Sequence, residues 1–121
     1  MTVEASGISI TQALIDEYGR ISGDLNPLHV DPEVARATPF GGTIAHGCIP
    51  LEPVFKAFQN MLGMATLPQG CRMSLRYHRP SRPGDRIEVK TGQEETGPAY
   101  TFACTNQHGE IVINGRVILP E

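Results

Sequence analysis

Asp24 and His29 stand five residues apart in the segment Ser22-Gly-Asp-Leu-Asn-Pro-Leu-His29, with Asn26-Pro27 between them. A carboxylate and an imidazole that meet around one water form an acid/base pair. Positioned proton transfer of this kind is worth roughly 10²–10⁴ in rate per group. The spacing does not make the two side chains neighbours on one helix. The residue before a proline avoids the α region, and Asn-Pro favours a turn, so a bent loop has to bring them together. An Asp and a His in a loop also cap helices or face solvent, and spacing alone leaves both readings open.

The other side chains with chemistry are less pointed. His46 is a metal or catalytic candidate by residue type. Cys48 follows it near a helix start, where a thiolate can be stabilised. Cys48, Cys71 and Cys104 form no CxxC or Cys/His zinc pattern, so reduced thiols in a cytoplasmic protein, and no metal, are expected. Arg72, Arg76, Arg79, Arg82 and Arg86 crowd one stretch and could meet an anion. A solvated strand and turn gives the same pattern. His78 and His108 read as surface residues, and Asp16, Glu17 and the Glu94-Glu95 pair as solvated faces.

The elements that must position these groups fit a single domain, residues 1–121, with 40% apolar residues and a formal net charge of −3. Nothing in that charge suggests a nucleic-acid footprint. There is no basic-then-apolar leader and no run near the ~20 apolar residues that span a bilayer. Ser9 is the expected cap of a first helix, with Gln12 as its capping-box partner and Ile10, Ala13, Leu14, Tyr18 and Ile21 on one face. Residues 22–47 are dense in Gly, Pro, Asn and Asp, with a short helix over 32–37 behind Asp31-Pro32. A long irregular segment in a small domain is usually functional. A second helix over roughly 51–63 is apolar over most of its girth, so other structure wraps it. Four strands follow: 72–78, one from about Ile87, 99–105, and 110–119, the last two joined by a hairpin at Gln107-His108-Gly109. The pattern predicts an α+β fold, an antiparallel sheet curled around a central helix.

Tyr18, Ile21, Ser22, Gly23, Asp24, Asn26, Pro27, Leu28, His29 and Ala35 together resemble the signature of the MaoC-like (R)-specific hydratases, the hydratase 2 family. Pro39 to Gly47 and the Arg79 to Asp85 turn resemble that family's next blocks, so the resemblance covers about residues 9–90. It implies the hot-dog fold, a long central helix wrapped by a curved antiparallel sheet and dimerised edge to edge. It also implies reversible addition of water to a trans-2-enoyl thioester, giving the (R)-3-hydroxyacyl thioester. On that reading Asp24 and His29 activate the water, Asn26 orients it or the loop, and the Gly47 N–H donates to the thioester carbonyl. The resemblance also implies a structural hydrogen bond for His46 and, since the family usually has an apolar residue there, packing for Cys48. The acyl group arrives on coenzyme A or phosphopantetheine, and no other cofactor is implied. Arg72, Arg76, Arg79, Arg82 and Lys90 are the candidates for its phosphates, although each alone also reads as plain surface charge. Hot-dog domains also serve as thioesterases and as non-catalytic partner subunits of hetero-oligomeric dehydratases. The complete Asp-x-Asn-Pro-x-His block favours hydration. Two departures stand out. Pro53, three residues after Pro50, predicts a delayed or distorted start to the central helix. Phe55 takes the place where many relatives carry a serine that supports the aspartate.

Overall fold

The computed structural model describes residues 6–94 and 97–120. Along the chain run β1 (Ser6–Ser9), α1 (Gln12–Ser22), α2 (Pro27–Val30), α3 (Pro32–Arg36), α4 (Cys48–Leu62), β2 (Arg72–Tyr77), β3 (Arg86–Gln93), β4 (Ala99–Thr105) and β5 (Ile111–Ile118). The five strands form one sheet in the order β1-β3-β4-β5-β2, antiparallel throughout. Alternation sets its faces: Ile87, Val89 and Thr91 of β3 are buried, whereas Arg86, Glu88 and Lys90 are exposed. The inner face packs on α4, where Ile49, Val54, Ala57 and Phe58 meet Phe102, Cys104, Val112 and Val117 in one core. Phe58 lies edge-on to Tyr100 and Phe102, with ring centroids 5.9 and 6.4 Å apart. Burial pushes the Cys104 thiol up to about 12, so it stays protonated and unreactive.

The α+β arrangement of central helix and antiparallel sheet is the one that the sequence pattern predicts, and the hairpin at residues 107–109 lies where expected. Asn106 closes it by accepting from the N–H groups of His108 and Glu110 at 3.0 and 3.1 Å. Glu94, read as a solvated face, instead takes two hydrogen bonds from Arg116 at 2.8 and 3.3 Å, while Glu95 lies outside the described residues.

The N-terminal expectation needs correction. Ser9 is not a cap but the last residue of β1, which pairs with β3 through Ile8 opposite Ile87. Thr11 caps α1 instead, accepting from the Leu14 N–H at 3.0 Å. The helix therefore begins after Ile10, and the buried stripe turns with it. Ile15 and Gly19 are buried, Leu14 and Tyr18 half-buried, and Ile21 is 77% exposed.

The central helix also departs from expectation. Helical dihedrals begin at Gly47 (φ −57°, ψ −29°), with no delay before Cys48, and Pro53 lies buried inside the helix. Pro50 falls in the first turn, where N–H groups lack partners anyway. Pro53 removes one helical bond, to the Ile49 carbonyl. Burial of Ile49, Leu51, Val54 and Phe58 stabilises the helix by roughly 1.5–3 kcal/mol per side chain and outweighs that loss.

Candidate active site

The two ends of the turn over residues 22–29 are held by its own polar side chains. The Asp24 N–H donates to Ser22 Oγ at 3.2 Å, and the Asn26 N–H donates to Asp24 Oδ1 at 3.3 Å. Asn26 Oδ1 then accepts from the Leu28 N–H at 3.0 Å and caps α2, with Pro27 as the first helical residue. Asn-Pro is thus a helix start rather than a free turn. That single turn carries His29 back towards Asp24, leaving His29 Nε2 3.9 Å from Asp24 Oδ2. Below the turn, a side chain at Gly19 would put its Cβ 3.0 Å from the Asp24 carbonyl and 3.1 Å from Leu25 Cδ2, so the glycine permits this close approach.

The imidazole has a defined proton. His29 Nδ1 lies 2.8 Å from the Ile44 carbonyl, which can only accept. Nδ1 therefore carries a hydrogen, and in the neutral ring Nε2 presents a lone pair towards Asp24. The His29 side chain is 14% exposed and that of Asp24 53%, so the pair faces outward at the carboxylate end. His46 lies beneath both, 3% exposed. Its Nε2 donates to the Asp24 carbonyl at 2.8 Å, and its ring stacks on His29 at 4.0 Å and 27°. This is the structural hydrogen bond that the sequence suggested. Ligand atoms of Asp24, His29 and His46 all lie within 4.8 Å of one another, a spacing that could hold a metal. His46 Nε2 donates to a backbone carbonyl, so its buried Nδ1, which has no hydrogen-bond partner among the described residues, is the nitrogen left to offer a ligand's lone pair. The Asp24 and His29 side chains face each other across a gap that one water can bridge, which is the arrangement acid/base work needs.

A second group meets them at the start of α4. Tyr77 Oη donates to the Gly47 carbonyl at 2.7 Å, and burial pushes that phenol above its ordinary range, so it remains a donor. A Cβ on residue 47 would sit 2.9 Å from Tyr77 Oη, which makes glycine the residue that fits. The Gly47 and Cys48 N–H groups have no acceptor among the described residues. Cys48, expected to pack, is exposed, and its proximity to Tyr18 pushes the Tyr18 phenol above its ordinary range. Beside His29 and Gly47 opens a cleft of about 390 Å³ with Phe40, Ile44, Pro50 and Tyr77 in its walls.

The candidate phosphate contacts separate in space. Arg79 lines the cleft, and with Arg82 it lines an adjoining cavity of about 420 Å³. Arg76 and Lys90 line a groove on the outer face of the sheet, and exposed Arg72 alternates onto that same face. Phe55 is 37% exposed, and the Asp24 carboxylate takes its hydrogen bond from Asn26. Sequence reasoning missed the roles of three residues: Tyr77, read only as an alternating strand residue, Gln12, read as a capping-box partner, and Thr43. Gln12 holds the His29 carbonyl and Thr43 rather than a cap. A polar residue on the otherwise apolar side of α1 was the available signal.

A five-stranded antiparallel sheet around one long helix, with Asp and His on the turn before it, defines a hot-dog domain. Residues 1–108 match the family described as MaoC like domain, and the chain belongs to that family. It is 44% identical over 114 residues to the 3-hydroxyacyl-thioester dehydratase Z of Mycobacterium tuberculosis, covering 89% of this chain and 76% of that one. It is 32% identical over 109 residues to the 3-hydroxybutyryl-CoA dehydratase of Methylorubrum extorquens, covering 84% and 67%. The (R)-hydratase of A. caviae superposes with a TM-score of 0.75 at 24% identity, covering 99% of this chain and 98% of that one, and shares the fold. Among the described residues no helix is long and apolar enough to cross a membrane.

Proposed function

We propose that the chain is an (R)-specific enoyl-thioester hydratase, equally a 3-hydroxyacyl-thioester dehydratase. The observation that carries this reading is His29 Nε2 placed 3.9 Å from Asp24 Oδ2 while Nδ1 is engaged by the Ile44 carbonyl, beside a Gly47 N–H with no acceptor among the described residues. A water held between the imidazole and the carboxylate gives up one proton to the pair as its oxygen bonds to the β-carbon of a trans-2-enoyl thioester. The π electrons move to the thioester oxygen, and the Gly47 N–H, at the positive end of α4, receives that charge. The pair then returns the proton to the α-carbon on the same face, so the net change is one water added. Asn26 acts by shaping the turn.

The acyl carrier is coenzyme A or phosphopantetheine, and its phosphates fall to Arg79 and Arg82, the two of the five candidates that border the cleft and its neighbouring cavity. Arg82→Ala is expected to raise KM for crotonyl-coenzyme A about tenfold and to leave KM for crotonyl-pantetheine unchanged. An equal rise for both substrates would remove the arginine from phosphate recognition. A second copy is expected to pair along β2, which among the described residues is an edge strand of the sheet. The free thiols suit a reducing, cytoplasmic compartment.

The deciding experiment follows the enoyl absorbance of crotonyl-coenzyme A, the free thiol and the configuration of the product. A parallel mass measurement asks for two copies of the 13.1 kDa chain. Loss of the double bond without thiol release, giving the (R)-alcohol, is the expected result. Thiol release would make the chain a thioesterase. A dimer inert on short, medium and long enoyl thioesters would make it a partner subunit.

A further inference from the structure

We infer that Gln12 and Thr43 are positioning residues for the catalytic imidazole, acting as a clamp that fixes which ring nitrogen carries the proton. The inference rests on the hydratase reading of His29. Gln12 is the first residue of α1, and its carboxamide bridges two segments far apart in sequence. Nε2 donates to the His29 carbonyl at 2.9 Å and to Asp16 Oδ1 at 2.9 Å, while Oε1 accepts from Thr43 Oγ1 at 2.6 Å. Thr43 is 8% exposed, so its hydroxyl has little water to turn to.

The residue after Thr43 is Ile44, whose carbonyl accepts the His29 Nδ1 hydrogen at 2.8 Å. One carboxamide therefore holds the backbone on both sides of the bond that sets the tautomer. It holds residue 29 by its own carbonyl, and residue 44 through its neighbour. The remaining ties of residues 44–45 are the Ile44 N–H to the Leu28 carbonyl at 3.2 Å and the Ala45 N–H to the Ser81 carbonyl at 2.7 Å. The first joins Ile44 to the residue before His29, and the Gln12 carboxamide adds a second tie between the same two segments, on the other side of the imidazole bond. A neutral imidazole has two tautomers, and only the Nδ1–H form offers Nε2 as a base. A loosened Ile44 carbonyl lets the Nε2–H form compete, and the fraction of protein with a usable base falls. Neither Gln12 nor Thr43 lines the cleft, so substrate binding should be spared.

The test combines kinetics with ¹⁵N NMR of the histidine rings in the full chain. Gln12→Ala and Thr43→Val are each expected to lower kcat about tenfold, with KM changed by less than about twofold. The His29 ring is expected to move from Nδ1–H to a mixture of tautomers. Thr43→Ser, which keeps the hydroxyl, should restore both readings. Gln12→Glu covers the case in which Gln12→Ala unfolds. It keeps the acceptor for Thr43 and lacks the donor for the His29 carbonyl, so a mixed tautomer is again expected. Folded variants with the wild-type tautomer and kcat, or a loss confined to KM, would overturn the clamp. The NMR measurement needs no turnover. If the wild type is inert on every thioester, the hydratase reading falls, and the clamp is still judged by whether the ring proton moves.

Discussion

Asp24→Asn is expected to lower the rate of crotonyl-coenzyme A hydration by about 10³ while leaving the fold intact. The substitution is close to isosteric. Asn keeps an oxygen for the Asn26 N–H that now donates to Asp24 Oδ1. The two backbone bonds of residue 24, from its N–H to Ser22 Oγ and from His46 Nε2 to its carbonyl, do not involve the carboxylate. The side chain is 53% exposed, so the stability change should stay within about 0.5 kcal/mol. What disappears is the negative charge facing His29 Nε2 and the capacity to hold a proton between the two halves of the reaction. The check is the initial rate of absorbance loss beside a thermal melt of the same preparation. A variant that melts like the wild type and keeps a tenth of its rate would show that the carboxylate is not part of the proton relay.

Much of this site could be read from the chain because its geometry is local. Asn26 caps α2, Pro27 starts it, and one helical turn returns His29 to Asp24, all within eight residues. Asp31-Pro32 obeys the same rule one step later, with Asp31 Oδ1 accepting from Glu33 and Val34. The strands of the meander were equally plain, because alternation in β3 and turn residues at 106–109 both act over short range. The rest depends on partners distant in sequence. β1 is four residues long and contains a glycine, and it is a strand only because Ile87 and Val89 stand ready to pair with it. Once β1 takes Ser9, the helix cap passes to Thr11, and Gln12 is left to reach residues 29 and 43. Tyr77 serves Gly47 across thirty positions. The expectation of a delayed start to α4 failed for a related reason. Local rules assign the cost of a missing N–H, whereas the burial that offsets it is tertiary.

His29→Ala carries an equally large expected effect, with a different signature. The base is lost, so hydration should again fall by about 10³, and the damage extends into the protein. The Ile44 carbonyl loses its donor at 2.8 Å and His46 loses the ring stacked on it at 4.0 Å. An unpaired part-buried acceptor costs about 1–3 kcal/mol, so this variant should melt lower than Asp24→Asn. The hole left by the imidazole opens on the cleft of about 390 Å³, and free imidazole can enter it. Added imidazole is therefore expected to restore part of the rate in His29→Ala and none in Asp24→Asn, where the ring is still in place. The double variant decides whether the two groups act as one device. Groups that share one water and one proton lose their function together, so removing both should cost no more than removing the worse one alone. If the two losses multiply instead, Asp24 and His29 serve separate steps, and the shared-water mechanism has to be given up.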